Sequence, residues 1–540
     1  MTAIMHRVFT SNRAILLIIL LAVLLRSYNL SSNPKSMYGD SLTLVYDAYS
    51  ILKTGMDQTG EFLPTFFSMG GGRPALYIYA TIPFVALWGT TAMAARAVSV
   101  LSGIGIVILL YLLCLKLFNK RVAIYAAVLA ALTPWELSLS RGAFESHFAL
   151  FLGLFGLFAF YKATEKTPKW FIISGISFAL SMQTYSTYVF TVPFFLFLVF
   201  YSAGIKTLKS VLRKEVLICL ILVTSSFLFS VYITYSRGSK DRFTNIQVFN
   251  QLELQNRLAS KINVERAYSQ LDPRIVAGFH NRILETFSVV AENYTNNFGL
   301  PFLFLQGDGN PRHNPASSGE FFWFCLPLLV MGIFNLHKQN KKLLLFISIW
   351  ILIAPIAGSL VAGPHALRNS FLLPPLLILC ALGVPRSKKI GVFLVILFLI
   401  QLPFFINRFY FLSPNLNAKF WSYSAKVASE KVISSRGKFD YIILSANIPD
   451  IEFAYPVYAK VEPSELIYQN KHKTYLGEFS FSKFGNVYLG SIPGVAIKEM
   501  RKKIPGSLLY LGPIQDIDKL ENEGVQRDED QQPLYVISPK

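Results

Sequence analysis

Runs of apolar residues long enough to span a bilayer recur along this chain, and they constrain its fold more than any other feature. A membrane-spanning helix needs roughly 17 to 25 predominantly apolar residues. Of the 540 residues 53% are hydrophobic and 15% are charged, whereas soluble domains carry about 25% charged residues. The pattern predicts an α-helical polytopic membrane protein of about eleven transmembrane helices. The predicted spans are 12–29, 93–118, 121–139, 146–163, 170–183, 185–203, 214–235, 320–336, 342–362, 366–384 and 388–406.

The links between these runs are basic, and they predict how the chain is oriented. Lysines and arginines remain on the cytoplasmic side of a membrane and meet anionic headgroups there. The net charge of +20 is therefore expected to serve the membrane, and nucleic acid is not predicted as a partner. With Arg7 and Arg13 in the cytoplasm, every basic link also lies inside, provided that the run Ala75 to Gly89 does not cross. The basic links begin at Asn119, Lys162, Lys206, His337 and Arg386.

The run from Ala75 to Gly89 is short for a span and directly follows Gly70, Gly71, Gly72, Arg73 and Pro74. A short apolar segment beside such a break is typical of a re-entrant or interfacial helix. We therefore predict that it does not cross.

This topology divides the chain into a membrane part and a water-facing tail. Residues 1–406 are predicted to form the transmembrane domain, with a first outer loop at 30–92 and a long outer loop at 236–319. The tail 407–540 alternates strands such as DYIILSA and SLLYLGPI with helical stretches such as Ala418 to Ser435. That alternation predicts a C-terminal extracytoplasmic soluble α/β domain.

Asp40, in the first outer loop, is the first acidic residue of the chain and follows shortly after a predicted span. A carboxylate so close to the bilayer is unfavourable unless it has a partner or a task. Asp40 is therefore a candidate functional residue. The residues from Ser41 to Leu52 have apolar side chains at helical spacing, which predicts an amphipathic helix lying on the membrane. The alternative for Asp40, or for Ser41, is a cap of that helix.

Further polar residues cluster at the outer ends of other predicted helices. Arginine binds phosphate through its planar fork, and a carboxylate can take a proton from an attacking hydroxyl group. A pair of carboxylates could also hold a divalent cation beside a phosphate. The candidates are Arg141 and Glu145 in SRGAFESHF, Asp308, Arg312 and His313 in GDGNPRHNPASSGEF, and His365 and Arg368 in GPHALRNSFLLPP.

Each of these residues also has a purely structural interpretation. Arg141 and Glu145 are four residues apart, so they could form a simple ion pair on one helix. His313 could hydrogen-bond the backbone of its loop, and Arg368 could anchor a helix end against headgroups. No single motif decides between these readings, but the recurrence of such residues on one face favours a shared site.

Four segments resemble the GT-C superfamily of membrane glycosyltransferases. They are GDSLTLVYDAYSILKTGMDQTGEFLP, RPALY, WGTTAMAARAVSVLSG and PWELSLSRGAFESHFALF. The resemblance covers the first two hundred residues best. It is strongest to bacterial relatives of dolichyl-phosphate-mannose protein mannosyltransferases and of the aminoarabinose transferase of lipid A, so the chain resembles glycosyltransferase family 39. It implies a GT-C fold and transfer of a sugar from a polyprenyl-phosphate carrier on the outer face of the cell membrane.

The resemblance also implies roles for individual residues. Asp40 matches the catalytic acid of the family's first loop, and Glu145 matches the acid that follows the third helix. Ser41 stands where a second acid is common, and Glu145 stands where Asp is usual. A divalent cation is the one cofactor considered, with Asp40 and Glu145 as its ligands if it binds. The candidates for the carrier phosphate are Arg73, Arg141, Arg312, His313, His365 and Arg368.

Two other classes of membrane protein compete with this interpretation. A polytopic transporter or lipid-linked-glycan flippase would be expected to have internal repeats and ionisable residues near the bilayer midplane. A wall-polymer or O-antigen ligase would suit the long outer loop but not the acid of the first loop. The predicted partners are a polyprenyl-phosphate sugar donor, membrane lipids and an acceptor that is a protein, lipid or glycan.

Overall fold

The computed structural model groups the chain into two compact units, each built from two separate stretches of sequence. The helical unit comprises Met1–Ser27 and Ser99–Phe405, and the loop–tail unit comprises Tyr28–Val98 and Ile406–Lys540. The structure describes residues 13–68, 72–165, 167–204, 213–236, 248–493, 496, 500 and 505–513, and the backbone of 525–527 and 533–537. Arg7, Gly70, Gly71 and most of the basic link that begins at Lys206 lie outside the described residues.

The described helices account for most of the chain. In chain order they are α1 Arg13–Ser27, α2 Gly39–Thr54, α3 Leu76–Trp88, α4 Ala92–Leu117, α5 Lys120–Leu132, α6 Pro134–Arg141, α7 Glu145–Ala163, α8 Trp170–Met182, α9 Ser186–Ser202, α10 Lys214–Ser236, α11 Leu252–Tyr268, α12 Pro273–Phe279, α13 Arg282–Asn296, α14 Cys325–Gln339, α15 Lys341–Ile353, α16 Ile356–Ser359, α17 Leu373–Gly383, α18 Lys388–Ile406, α19 Ser413–Leu416, α20 Tyr423–Ser435, α21 Ile451–Tyr458 and α22 Pro463–Lys471.

The predicted class of α-helical, multi-pass membrane protein is confirmed. Five helical stretches of the described chain are long and apolar enough to cross a membrane, and a sixth is formed by α5 and α6 together, which are bent by 55°. Pro134 begins α6 directly after the extended residue Thr133, because proline cannot donate the hydrogen bond that would continue α5. Each of the eleven predicted spans contains a helix, but several are shorter than a full span, so the count of eleven stays a prediction.

Helix α3 corresponds to the run that was predicted not to cross. Its 13 residues extend about 20 Å at 1.5 Å per residue, whereas the hydrocarbon core of a bilayer is roughly 30 Å thick. The length of α3 agrees with a helix that does not cross. The orientation of the chain, with its N-terminus inside, stays a prediction.

The tail contains the predicted α/β domain, built on one mixed sheet. Its strands are β3 Tyr441–Ser445, β4 Thr474–Leu476, β5 Phe479–Phe484, β6 Val487–Gly490, β7 Leu508–Pro513, β8 Val525–Arg527 and β9 Pro533–Ile537, in the order β4-β5-β6-β3-β7-β9-β8. The central strand β3 runs parallel to β6 and β7, and the remaining pairs are antiparallel. Buried Ile443, Phe481 and Tyr510 form part of the core on one face.

The tail does not form a compact unit by itself. The contacts of the chain group residues 28–98 with it, although the sequence analysis assigned the first outer loop to the transmembrane domain. Helix α2 packs against α21 and α22 of the tail. The first loop and the tail therefore belong together in the loop–tail unit.

The first-loop helix predicted from Ser41 to Leu52 is confirmed as α2, but its surroundings differ from the prediction. An amphipathic helix on a membrane would bury one side only. In α2, Leu42 and Val45 are buried, and so are Leu44, Tyr46 and Ala48 on the other sides. The prediction of a surface helix was wrong because α2 is covered on more than one side, by α3 of the first loop and by α21 and α22 of the tail.

Within the helical unit, α14 and α17 approach each other closely through two glycines. A Cβ atom at Gly332 would clash with the carbonyl oxygen of Leu379, and one at Gly383 would clash with the carbonyl oxygen of Leu328. Small residues let helix backbones meet at such distances in membrane proteins, where van der Waals packing holds helices together. The contact therefore depends on glycine at both positions.

We expect Gly332→Ala to push α14 away from α17 and to lower the free energy of unfolding by about 1–3 kcal/mol, the usual range for overpacking. Gly391→Ala in α18 is the matched control, since nothing lies within 4 Å of the Cβ it would add. The control should be neutral or slightly stabilising because alanine favours a helix over glycine. Thermal melting of both variants in the same lipid measures the difference. Equal melting temperatures would contradict the proposed packing.

Candidate active site

Asp40 lies in the first turn of α2 and is paired with Arg73. Arg73 Nη2 donates to Asp40 Oδ1 at 3.0 Å, and Arg73 Nη1 donates to the backbone carbonyl of Asp40 at 2.7 Å. The side chain of Arg73 is 7% exposed and that of Asp40 is 48% exposed. A short antiparallel ladder between Phe66–Phe67 (β1) and Arg73–Pro74 (β2) sets the position of Arg73. The carboxylate is thus held on one side and open to solvent on the other.

Asp40 is not the cap of α2, which was the alternative left open by the sequence. The helix begins at Gly39, and its N-cap position is occupied by Tyr38. Ser41 is the third residue of the helix and does not cap it either. The expectation that Arg73 binds a donor phosphate remains untested, and its contacts here add a second role, which is to hold Asp40.

A second carboxylate of α2, Asp47, is buried beneath the first loop. Its Oδ1 accepts a hydrogen bond from the backbone N–H of Gln58 at 3.1 Å, which ties the loop after α2 back onto the helix. Burial raises the pKa of Asp47 to about 7, and the nearby charge of Asp57 adds to this, while the Gln58 hydrogen bonds and Arg73 act in the opposite direction. Asp47 therefore holds its proton well above the usual range of a carboxyl group.

In the helical unit, the structure brings together the residues of GDGNPRHNPASSGEF and GPHALRNSFLLPP. His313 Nδ1 donates to Asp308 Oδ2 at 2.9 Å, and the backbone N–H of Ala366 donates to the same oxygen at 2.7 Å. His365 Nδ1 lies 3.8 Å from Asp308 Oδ2. Buried Glu320 accepts a hydrogen bond from the backbone N–H of Asp308 at 2.9 Å. We call Asp308, His313, His365 and Glu320 the histidine cluster.

Charges are distributed unevenly in the histidine cluster. Burial alone would raise the pKa of Asp308, but the hydrogen bond and charge of His313 outweigh it and hold this pKa at about 2. Burial lowers the pKa of His365 to about 3, and the positive charges of His313 and Arg368 add to that effect. The cluster thus contains an ionised Asp308 and a neutral His365.

Arg312 and Arg368, the other two predicted phosphate ligands of this region, lie beside the same cluster. The charges of both residues act on His365. The two arginines are partly exposed, whereas Asp308 and Glu320 are buried. Positive groups therefore face outward around a buried acid, an arrangement that could receive a phosphate.

The histidine cluster could also hold a metal ion. The ligand atoms of Asp308, His313 and His365 all lie within 4.8 Å of one another. One carboxylate and two imidazoles are a donor set that suits a divalent transition metal such as zinc. These residues therefore fit a divalent cation, but they are not Asp40 and Glu145, the ligands considered from the sequence.

A second group with metal-ligand spacing, Glu265, His280 and Glu285, lies in the long outer loop. Lys261 Nζ is 2.7 Å from Glu285 Oε2 and 3.7 Å from Glu265 Oε1. An ammonium group already compensates the charge of this group, so its ion pairs are sufficient to explain it.

Glu145 and Arg141 both lie in the helical unit, where Glu145 begins α7. Arg141 is buried, and its Nη1 donates to the backbone carbonyls of Leu25 at 3.0 Å and of Arg26 at 2.9 Å. A basic side chain bound to the last carbonyls of a helix is a common C-terminal cap. These contacts assign Arg141 a structural role at the end of α1, while its predicted role at a phosphate stays untested.

Close to Glu145, three fully buried ionisable residues from different helices form one network. Arg26 of α1 donates to Glu136 of α6 and also to the carbonyls of Ala130 and Ala131. His147 Nε2 is 3.0 Å from Glu136 Oε1, and His147 Nδ1 is 3.2 Å from the carbonyl oxygen of Ser99. We call Arg26, Glu136 and His147 the buried ion network.

His147 connects three helices of the helical unit. The carbonyl of Ser99 in α4 can only accept a hydrogen bond, so His147 Nδ1 donates to it. The other ring nitrogen, Nε2, contacts Glu136 of α6. The imidazole thus links α7 to both α4 and α6.

Neither the buried ion network nor Glu320 was predicted from the sequence. Signals for them were present: Glu136 and Arg26 are charged residues within predicted spans, and such residues are functional or structural candidates by default. Glu320 ends the motif GDGNPRHNPASSGE that was already singled out. Its role could not be inferred because its burial depends on the folded loop.

Part of the chain is similar to a known protein family. Residues 72–229 match the family described as dolichyl-phosphate-mannose-protein mannosyltransferase. The matched stretch contains Arg73, Arg141 and Glu145 but neither Asp40 nor the histidine cluster. The resemblance to GT-C glycosyltransferases is therefore confirmed over this stretch. No curated protein sequence matches the chain.

Solved structures show partial similarity to the chain. The apo oligosaccharyltransferase AglB from Archaeoglobus fulgidus aligns with 93% of this chain and 69% of its own, at 13% identity and a TM-score of 0.49. AglB in complex with an inhibitory peptide and a dolichol-phosphate aligns with 83% of this chain at 14% identity and a TM-score of 0.47, and this chain spans 63% of its length. ArnT from Cupriavidus metallidurans bound to undecaprenyl phosphate aligns with 85% of this chain and 72% of its own, at 13% identity and a TM-score of 0.42. The proposals below do not depend on these similarities.

The raised pKa of Asp47 predicts a pH-dependent stability. In the unfolded chain a carboxyl group ionises near pH 3.9, whereas folded Asp47 keeps its proton to about pH 7. Its contribution to stability is therefore fully present below pH 4, is lost as the pH rises to about 7, and stays constant above that. Asp47→Asn, which keeps an oxygen for Gln58, should melt progressively higher than the wild type between about pH 4 and pH 7, and by a constant difference above that.

Thermal melting at several pH values measures this difference. Asp272→Asn is the control, because it replaces an exposed N-cap aspartate of α12 with another good capping residue. Its melting temperature should follow that of the wild type at every pH. A difference between Asp47→Asn and wild type that does not change with pH would count against a buried protonated Asp47.

Proposed function

We propose that this chain is an integral-membrane glycosyltransferase that moves a sugar from a polyprenyl-phosphate carrier to an acceptor on the outer face of the cell membrane. The observation that carries the proposal is the half-exposed carboxylate of Asp40, held by a buried arginine. The family match over residues 72–229 supports this class of donor and reaction. The acceptor can be a protein, a lipid or a glycan with a free hydroxyl or amino group.

Asp40 is suited to act as the general base of this transfer. Its Oδ1 accepts from Arg73, so its other oxygen is available for the proton of the acceptor group. As the acceptor oxygen or nitrogen bonds to the anomeric carbon of the sugar, the bond from that carbon to the phosphate oxygen breaks. The proton passes to Asp40, and the electron pair leaves with the carrier phosphate. Arg73 keeps Asp40 in place throughout.

The carrier phosphate would be bound by Arg312, His313, His365 and Arg368, as the sequence analysis expected. The two histidines belong to the histidine cluster and the two arginines lie beside it, and this proximity supports the assignment. A neutral His365 can donate through Nε2, because its Nδ1 accepts from the backbone N–H of Arg368 at 3.4 Å. Arginine and imidazole donors together can neutralise the charge that develops on the leaving phosphate.

The divalent cation considered from the sequence would be bound by Asp308, His313 and His365 in place of Asp40 and Glu145. Such an ion would supply additional positive charge beside the leaving phosphate. The residues fit this ion, and Asp308 also accepts hydrogen bonds from His313 and Ala366 without it. Glu145, at the start of α7, is proposed as a supporting acid that orients the acceptor, and the neighbouring buried ion network would hold it in place.

We expect Asp40→Asn to lower the rate of sugar transfer by about a hundredfold to ten-thousandfold, the usual range for the loss of a general base. The amide keeps an oxygen for Arg73, so the fold and donor binding should be retained. The assay is the transfer of labelled sugar from a polyprenyl-phosphate donor by the purified protein in lipid, with thermal melting as the test of folding. Glu145→Gln should be comparably severe if Glu145 orients the acceptor or a metal, and milder if Glu145 only pairs with Arg141. A normally melting Asp40→Asn protein with wild-type turnover would falsify the assignment of the base.

We expect Arg368→Ala to weaken donor binding by about 1.5–3 kcal/mol, since a hydrogen bond to a charged phosphate is lost. The matched control is Arg274→Ala, because Arg274 is an exposed arginine of the long outer loop away from the histidine cluster. The affinity for the sugar donor is measured by calorimetry before and after treatment with a chelator. Unchanged donor affinity in Arg368→Ala would show that Arg368 does not bind the donor phosphate. If donor affinity falls only after treatment with the chelator, a metal ion binds the phosphate in place of Arg368.

A further inference from the structure

Helix α2 carries the proposed base, and its N-terminus is capped by a residue from a distant part of the chain. The first N–H groups of a helix have no partner within it and are commonly satisfied by the side chain of the N-cap residue. The side chain of Tyr38, which occupies that position, makes no capping hydrogen bond. Instead, Asp450 Oδ2 accepts from the backbone N–H of Gly39 at 3.2 Å, across 411 positions of sequence.

Asp450 is itself firmly held. It occupies the N-cap position of α21 with a left-handed backbone, at φ 61°, a conformation that aspartate tolerates better than most residues. Ser422, at the start of α20, donates its hydroxyl to the same carboxylate oxygen. The carboxylate therefore reaches Gly39 from a rigid corner between two helices of the tail.

Gly39 makes this approach possible. A Cβ atom at position 39 would lie 2.8 Å from Asp450 Oδ1, which is too close for a carbon beside an oxygen. A negative group at the N-terminus of a helix also interacts favourably with the helix dipole. The contact is thus both sterically specific and electrostatically favourable.

Further hydrogen bonds from the tail hold the rest of the first loop. Tyr46 of α2 donates its hydroxyl to the carbonyl of Val461 at 2.9 Å, and Asn470 Nδ2 donates to the carbonyl of Gln58 at 2.9 Å. Tyr46 is six residues from Asp40 along α2, and Gln58 lies beyond the end of that helix, whereas Asp450 contacts the residue adjacent to Asp40. Asp450 is therefore well placed to set the position of Asp40.

We propose that Asp450 is a positioning residue for Asp40: the tail caps helix α2 at Gly39 and thereby holds the carboxylate at the place where it meets the acceptor. The inference rests on the proposed function in so far as Asp40 is the base. It assigns the C-terminal domain a part in the reaction that needs no contact between that domain and a substrate.

The test uses the full-length protein in lipid with two readouts, sugar transfer and amide hydrogen exchange at residues 36–45. In Asp450→Ala we expect turnover to fall roughly tenfold to a hundredfold, as a misplaced catalytic group would cause, with the donor KM unchanged within about twofold. The amide of Gly39 should exchange roughly fivefold faster because its acceptor is lost. Asp450→Asn should restore most of both, since an amide oxygen also caps a helix.

Two further variants make the test specific. Gly39→Ala should reproduce the loss of turnover, because the added Cβ would displace the Asp450 carboxylate from the Gly39 N–H although residue 450 itself is unchanged. Asp440→Ala is the matched control: Asp440 Oδ2 accepts from the backbone N–H of Ser507 at 2.8 Å within the same domain but away from the first loop. It should leave turnover and the exchange of Gly39 at wild-type values.

Each outcome separates this inference from the proposed function. Wild-type turnover in Asp450→Ala, or a loss no larger than in Asp440→Ala, would overturn the positioning role. A wild-type protein without sugar transfer would instead overturn the proposed function, and the exchange rate of Gly39 would still decide whether Asp450 holds helix α2. If Asp450→Ala does not fold, the comparison of Gly39→Ala with Asp450→Asn decides in its place.

Discussion

Charge buried among apolar helices must be compensated, and the buried ion network is where the helical unit meets this constraint. Glu136 lies between Arg26 and His147, with no exposed surface on any of the three side chains. Breaking such a network by removing one partner leaves an uncompensated charge, at a typical cost of about 3–5 kcal/mol. Gly103 allows the network to form, because a Cβ there would clash with Ser140 and crowd Arg26. Helices α1, α4, α6 and α7 are therefore fixed relative to one another, and α7 begins at Glu145.

The loop–tail unit follows the same principle with backbone groups in place of charges. The stretch of the first loop that precedes α2 contains no helix or strand in the described structure, and distant side chains satisfy several of its carbonyls. Arg96, for example, is buried and donates to the carbonyls of Leu30 at 2.6 Å and Pro34 at 3.1 Å. Catalytic geometry on a loop needs such support, because an unsupported loop samples many positions.

The sequence predicted what depends on local properties. Apolar runs predicted the helices because the transfer of a side chain from water is decided residue by residue, and the strands Tyr441–Ser445 and Leu508–Pro513 followed from alternation. Asp40 was identified from its position after a span. The partner of Asp40 was not, because the ladder of Phe67 with Arg73 forms only after folding. The full burial of α2 could not be predicted either, since residues beyond position 450 provide part of it.

Because the loop–tail unit is built from two stretches that are far apart in the sequence, it cannot form until late in the synthesis of the protein. Residues 28–98 leave the ribosome early, but their partners from 406 onward follow only after about 300 further residues, and bacterial or eukaryotic ribosomes add roughly 5–20 residues per second. For roughly 15 to 60 seconds the first loop is thus present without the tail that caps and covers it. During that time the helical unit can insert and assemble, while helix α2, which bears Asp40, still lacks the residues of the tail that cap and cover it. A chain whose synthesis ends before the tail is made would therefore be integrated in the membrane yet lack an ordered reaction centre.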